Sequence, residues 1–222
     1  MTSTVLIIPG LQGMPPGHWL SWLEGELPEA RRVPHDEWSS PVLAHRTGRV
    51  KQAIAHSAGP VWLIAHGFGC LAAIMAASDR TDRVAGALLV TPADPERYGA
   101  DGPLIEGEET IPRKPSISGL LPQTTLGFTS LVIASADDPD MRLVTASQWA
   151  DRWGSRLLLT SALGNIDPTV HQGAWPQCLR LFRLMHHAQR DLPLGSFAEG
   201  NEPAPRRHGW LAKLRRQSRA TL

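Results

Sequence analysis

The residues richest in chemical content are Ala65-His66-Gly67-Phe68-Gly69, between a strongly apolar run and a stretch of small residues. A strand, a sharp turn and a helix in that order form the elbow that exposes a nucleophile in the pattern G-x-S-x-G. Small residues beside the centre let strand and helix meet. The central residue takes a strained backbone conformation that pushes its side chain outward. Here the centre is Gly67. Glycine takes positive φ at little cost and suits the turn, but it carries no oxygen, so no acyl-enzyme can form on it. Phosphate binding is a second chemistry for the same residues. A dinucleotide fingerprint needs a third glycine, and Ala72 stands in its place.

Such a turn is positioned by alternating strands and helices. Short apolar, β-branched runs predict strands over Thr4–Ile8, 30–33, 61–65, Val84–Val90, 130–134 and 155–159. Helices are expected over 17–26, 41–56, 70–77, 141–153 and 172–187, the second opened by Pro41 in its first turn. Residues 93–123 are rich in proline, glycine and charge and read as a long loop or cap. This alternation implies an α/β protein, its sheet mostly parallel and covered by helices on both faces. Ligands in such sheets bind beyond the carboxyl ends of the strands. The loops after Ile8, Ala65, Val90, Ala134 and Leu159 are therefore the ones to watch.

The 222 residues suffice for one domain with a sizeable core. A net charge of +1 gives no global attraction for nucleic acid or acidic substrates. Cys70 and Cys178 are too few for a disulfide framework, and Cys70, in an apolar run, reads as a buried thiol. The N-terminus lacks the pattern of a secretory signal, and no apolar run is long enough to span a bilayer; the expectation is a cytoplasmic protein. The domain is assigned to residues 1–188, followed over 189–222 by a Pro/Gly-rich linker and a basic tail. In that tail Trp210, Leu211 and Leu214 group at helical spacing. It reads as a solvated end, with a weak contact to a membrane surface or a partner as the alternative.

Motifs elsewhere run in a recognisable order. Pro9-Gly10 is followed by His18-Trp19, then Asp36-Glu37-Trp38 and Pro41. Leu63 to Leu71 gives L-I-A-H-G-F-G-C-L, and Val84 to Pro92 gives V-A-G-A-L-L-V-T-P. Ser135-Ala136-Asp137-Asp138-Pro139, Trp153-Gly154-Ser155 and Gly173-Ala174-Trp175-Pro176 complete the set. In this order the chain resembles the compact serine-hydrolase family of the retinoblastoma-binding serine hydrolase and its bacterial relatives, over about residues 4–186. The resemblance implies an α/β-hydrolase fold in a single domain. It also implies that the triad positions are Gly67, Asp138 and Asn165, two of them altered. The family pattern at Gly164-Asn165-Ile166-Asp167 is G-H-I-N. An amide has no useful basicity near neutral pH, and an aspartate with no imidazole to orient has no triad role.

The resemblance places oxyanion donors at the backbone N–H groups of Leu11 and Phe68, which depend on backbone shape and not on side chains. His18 is expected near that loop in a structural role. His66 is expected to point away from the nucleophile's direction and to pack. His171, six residues after Asn165, is the candidate alternative base. Ser135 would lack both the elbow's exposure and a base. Asp137-Asp138-Pro139-Asp140 is expected to form a turn and helix cap; no metal site and no cofactor are expected. The leading expectation is a degenerate, non-catalytic member that binds a small ligand or a protein partner. The alternative is an esterase-like hydrolase with a rearranged site using Asp138 and His171.

Overall fold

The structure, a computed structural model, describes residues 3–34, 41–104, 115–160 and 173–190. Residues Met1–His187 form one compact unit; of the second, Ala188–Leu222, only the end of the last helix is described. Six strands make one sheet: β1 (Thr4–Ile8), β2 (Ala30–Arg32), β3 (Val61–His66), β4 (Val84–Val90), β7 (Thr129–Ser135) and β8 (Arg156–Thr160). Their order is β2-β1-β3-β4-β7-β8, every neighbouring pair parallel. The class expected from the alternation is the one found. A hairpin of two-residue strands, β5 (Tyr98–Gly99) and β6 (Gly102–Pro103), lies in the stretch read as a loop, as do short 3-10 turns at Pro95–Arg97 and Ile117–Leu120.

Among the described residues five helices cover the sheet: α1 (Trp19–Glu26), α2 (Leu43–His56), α3 (Phe68–Ala77), α4 (Leu143–Trp153) and α5 (Pro176–Arg190). A core cluster joins Leu6, Ile8, Leu63, Ala65 and Val132 of the strands to buried faces of α2, α3 and α4. On the opposite face Trp62 of β3 meets Phe182 and His186 of α5 edge-on, and Trp19 of α1 meets Trp175 just before α5. α2 begins after Val42, so Pro41 precedes the helix and does not occupy its first turn. Gly154 ends α4 at φ 65°, its N–H bonding back to Ala150 and Asp151; this is the left-handed stop that glycine suits.

α3 is the central helix and nearly all of it is buried. Its sequence F-G-C-L-A-A-I-M-A-A explains how. Small side chains let its axis approach the sheet, as a hydrophobic helix surrounded by protein requires. The closest approach is at Gly69: a Cβ there would collide with the carbonyl oxygen of Pro9 and stand 2.7 Å from that of Ile8. Both obstacles are backbone and cannot rotate away. Gly69→Ala is therefore expected to cost about 3 kcal/mol or more, read as a fall in the urea midpoint. Gly119→Ala, where a Cβ meets none of the described residues within 4 Å, serves as the neutral control.

Candidate functional site

β3 passes into α3 through one residue, Gly67, at φ 53° and ψ −128°. That conformation is accessible almost only to glycine without strain. The Gly67 N–H donates to Val90 O at 3.0 Å, tying the turn to the end of β4. Among the described residues, a Cβ built on Gly67 would meet only Gly10 Cα, at 3.7 Å, so none of them blocks a side chain here. The second glycine serves a different end. The space above Gly69 is filled by the chain's own Pro9 and Ile8 carbonyls, leaving no room for a pyrophosphate to approach. The nucleotide-binding reading of Gly67-x-Gly69 is set aside on that ground.

The loop after β1 forms the adjoining wall, closed by the Gly13 N–H donating to Gly10 O at 3.2 Å. A buried arginine holds it. Arg46, from the inner face of α2, donates through Nη2 to Gly10 O at 2.8 Å and Pro9 O at 3.3 Å. Its guanidinium also lies 5.4 Å from the centre of the Phe68 ring, within cation–π range. One side chain therefore braces both segments that carry the expected donors, Leu11 N–H and Phe68 N–H. Burial lowers the Arg46 pKa to about 10, which leaves it cationic at neutral pH. Phe68 opens α3, where backbone N–H groups have no partner within the helix and the helix dipole favours negative charge.

Together these walls enclose a cleft of about 120 Å³. Its lining comes from the loop after β1 (Gly10 to Gly13), from His18, from the elbow (His66, Gly67, Phe68), from the end of β4 (Thr91, Ala93), from Tyr98, and from Asp138 and Asp140. Asp138 Oδ1 accepts from the N–H groups of Asp140 at 2.8 Å and Met141 at 3.3 Å. Burial is the main cause that raises its pKa above the ordinary value. Arg97 Nη1 pairs with Asp140 Oδ1 at 2.9 Å. The Tyr98 phenol, which meets Phe68 edge-on, is also pushed up, chiefly by burial.

The structure thus brings Gly67, Phe68, Leu11, His18 and Asp138 to one cleft. Asn165 and His171 lie outside the described residues. His18 accepts the Leu20 N–H on Nδ1 at 3.1 Å and caps α1, a structural role combined with a place in the cleft wall. His66 packs as the sequence led one to expect, and more besides. It packs against His18 and Trp19 yet also lines the cleft, because the loop after β1 folds beside its ring. Asp138 caps a turn and not a helix, since α4 starts only after Arg142. Ser135 is buried, its Oγ accepting the Asp137 N–H. Cys70 is fully buried, burial pushing its thiol well above the ordinary range. Among the described residues no group of three His, Cys, Asp or Glu side chains could hold a metal, and no helix is long and apolar enough to cross a membrane.

Sequence reasoning missed Arg46, Thr91 and Tyr98. Arg46 had a signal: it falls on the same helical stripe as Leu43, Val50 and Ile54, where a lone arginine is out of place. Thr91 had only its location in one of the loops marked for attention. Tyr98 is brought in by a hairpin that no periodicity announced.

Residues 5–184 match the family model described as serine hydrolase. Among solved structures, a YdeN-like hydrolase from Pectobacterium atrosepticum is 26% identical with a TM-score of 0.73, covering 85% of this chain and 92% of its own. The ydeN gene product of Bacillus subtilis is 16% identical at a TM-score of 0.62, covering 84% and 100%. Est1E from Butyrivibrio proteoclasticus is 14% identical at 0.62, covering 85% and 88%. No curated protein matches the chain.

Two outcomes follow from this geometry. Gly67→Ser should fold but lose about 1–3 kcal/mol in urea unfolding, since any Cβ at that φ is strained. Asp138→Asn keeps an oxygen for both N–H groups and removes a charge that burial disfavours. The native carboxyl has a raised pKa, so its ionised form weakens the fold above that pKa and has no effect once protonated in both states. The variant should therefore be the more stable at neutral pH, and thermal melts should converge as the pH falls toward the ordinary value of 3.8.

Proposed function

The chain belongs to the serine hydrolase family, and from that premise we propose that it is a degenerate member that binds a ligand in the old active-site cleft without turning it over. The observation that carries this reading is Gly67, glycine at the centre of an intact elbow, with no described residue in the way of a side chain there. Acyl transfer needs a nucleophile at that point and a base to take its proton. Gly67 supplies no nucleophile. Asn165, at the position that the family resemblance assigns to histidine, supplies no base.

What remains is the binding half of such a site. The N-terminus of α3 and the loop after β1 stay braced by Arg46, and donors there depend on backbone shape alone. An oxyanion site with substrate binding leaves about 10³-fold catalysis over water in enzymes stripped of their triad. That trace is the upper limit expected here. The ligand is a small molecule carrying a carbonyl or acyl group, or a protein segment presenting one. The setting proposed is the cytoplasm, with residues 1–188 as the binding domain and 189–222 as an appended tail.

The test is labelling with a fluorophosphonate probe, together with hydrolysis of a small p-nitrophenyl ester. The natural chain should neither label nor turn over above the trace level. The Gly67→Ser/Asn165→His double variant should label at residue 67 and gain ester hydrolysis of at least about 10²-fold, in line with the contribution of a working base. Substantial turnover by the natural chain, lost on changing Asp138 or His171, would overturn the reading in favour of a rearranged hydrolase.

A further inference from the structure

Thr91 carries two costs that packing does not explain. It is the one non-glycine residue at positive φ among the described residues, at φ 40°. For a β-branched residue that is a genuine outlier, of the kind that persists where surrounding structure holds it in place for function. Its amide is pinned by a 2.8 Å bond to Ile133 O. The residue is 3% exposed, and its hydroxyl is buried with no hydrogen-bond partner among the described residues. A buried hydroxyl without a partner is uncommon and calls for an explanation. Thr91 also lines the cleft, one residue beyond the Val90 carbonyl that receives the Gly67 N–H.

The sheet order arranges the lining polar groups in a row. Leu11 follows β1, Phe68 follows β3, Thr91 follows β4 and Asp138 follows β7, on four consecutive strands. Backbone donors stand at one end and a carboxylate acceptor at the other. Between them is a hydroxyl able to donate or accept. No lysine or arginine lines the cleft among the described residues. His18 accepts the Leu20 backbone N–H on Nδ1. Asp140 is paired with Arg97. The negative charge that a ligand would face is therefore that of Asp138.

Building on the ligand-binding reading above, we infer that the cleft selects small carboxamides over carboxylates, the ligand's C=O toward the Leu11 and Phe68 amides, its N–H toward Asp138, and Thr91 Oγ1 bonding it between them. The size agrees. A primary amide holds its O and N about 2.3 Å apart. Hydrogen bonds of about 2.9 Å at each end give about 8 Å from donor to acceptor. Two strand spacings, from β3 to β7, are about 9.6 Å. A volume of about 120 Å³ equals about four water molecules, room for the amide head and a short alkyl group. A carboxylate of the same shape, although the N-terminus of α3 favours its charge, would set a second acceptor against Asp138, and both would repel.

The experiment is ligand-detected NMR at pH 8 with propionamide and propionate, on the full chain and on Thr91→Val, Thr91→Ser and Asp138→Asn. Propionamide should bind the natural chain at least about tenfold more tightly than propionate. Thr91→Val should weaken propionamide about tenfold while Thr91→Ser retains it, and Asp138→Asn should abolish the preference for amide over acid. No binding of propionamide, equal binding of both probes to the natural chain, or undiminished binding to Thr91→Val would overturn the inference. The same spectra report any conversion of propionamide to propionate. Conversion would sink the non-catalytic reading, while the affinity ratios would still judge the role of Thr91 separately.

Discussion

The turn between β3 and α3 is the constraint on which the rest depends. One residue must reverse the chain from a buried strand into a buried helix, and two residues later the helix must pass against the end of β1. Gly67 meets the first requirement through its backbone, at φ 53°. Gly69 meets the second through the absence of a side chain, in contact with the carbonyls of Pro9 and Ile8. Once α3 is set there, its small residues fix the helix-to-sheet distance. The remaining core residues of α2 and α4 close around it.

The same turn organises the cleft. The N-terminus of α3 and the loop after β1 approach because Gly69 allows it. Arg46 then spans them, bonding the loop's carbonyls and stacking on Phe68. Removing a cation from water is costly unless its hydrogen bonds are met, and the Pro9 and Gly10 carbonyls meet those of Nη2 here. A brace of this kind acts on backbone, and it is indifferent to whether residue 67 carries a hydroxyl. The shape of the cleft therefore does not depend on the side chain at position 67. Strain is distributed in a related way. Glycine relieves it at 67, while Thr91, one strand over, holds a β-branched residue at positive φ.

Much of this protein is determined by the sequence alone. Apolar runs at Thr4–Ile8 and Val84–Val90 have one favourable fate, burial in a parallel sheet, because both their faces are hydrophobic. The structure confirms those bounds without change. Gly67 at the centre of the elbow is equally legible, since the chemistry of a missing oxygen does not depend on folding. Tertiary structure alone decided the rest. Periodicity says that α2 buries a stripe, but not that Arg46 on that stripe would reach two carbonyls more than thirty positions earlier in the chain. His66 follows the alternation of its strand, yet whether its ring faces cleft or core was set by where the loop after β1 folded. Thr91 is an ordinary residue in sequence. Its positive φ and its hydroxyl without a partner among the described residues arise only when the ends of β3, β4 and β7 are brought side by side, because strain and unmet hydrogen bonds are properties of an environment and not of a residue type.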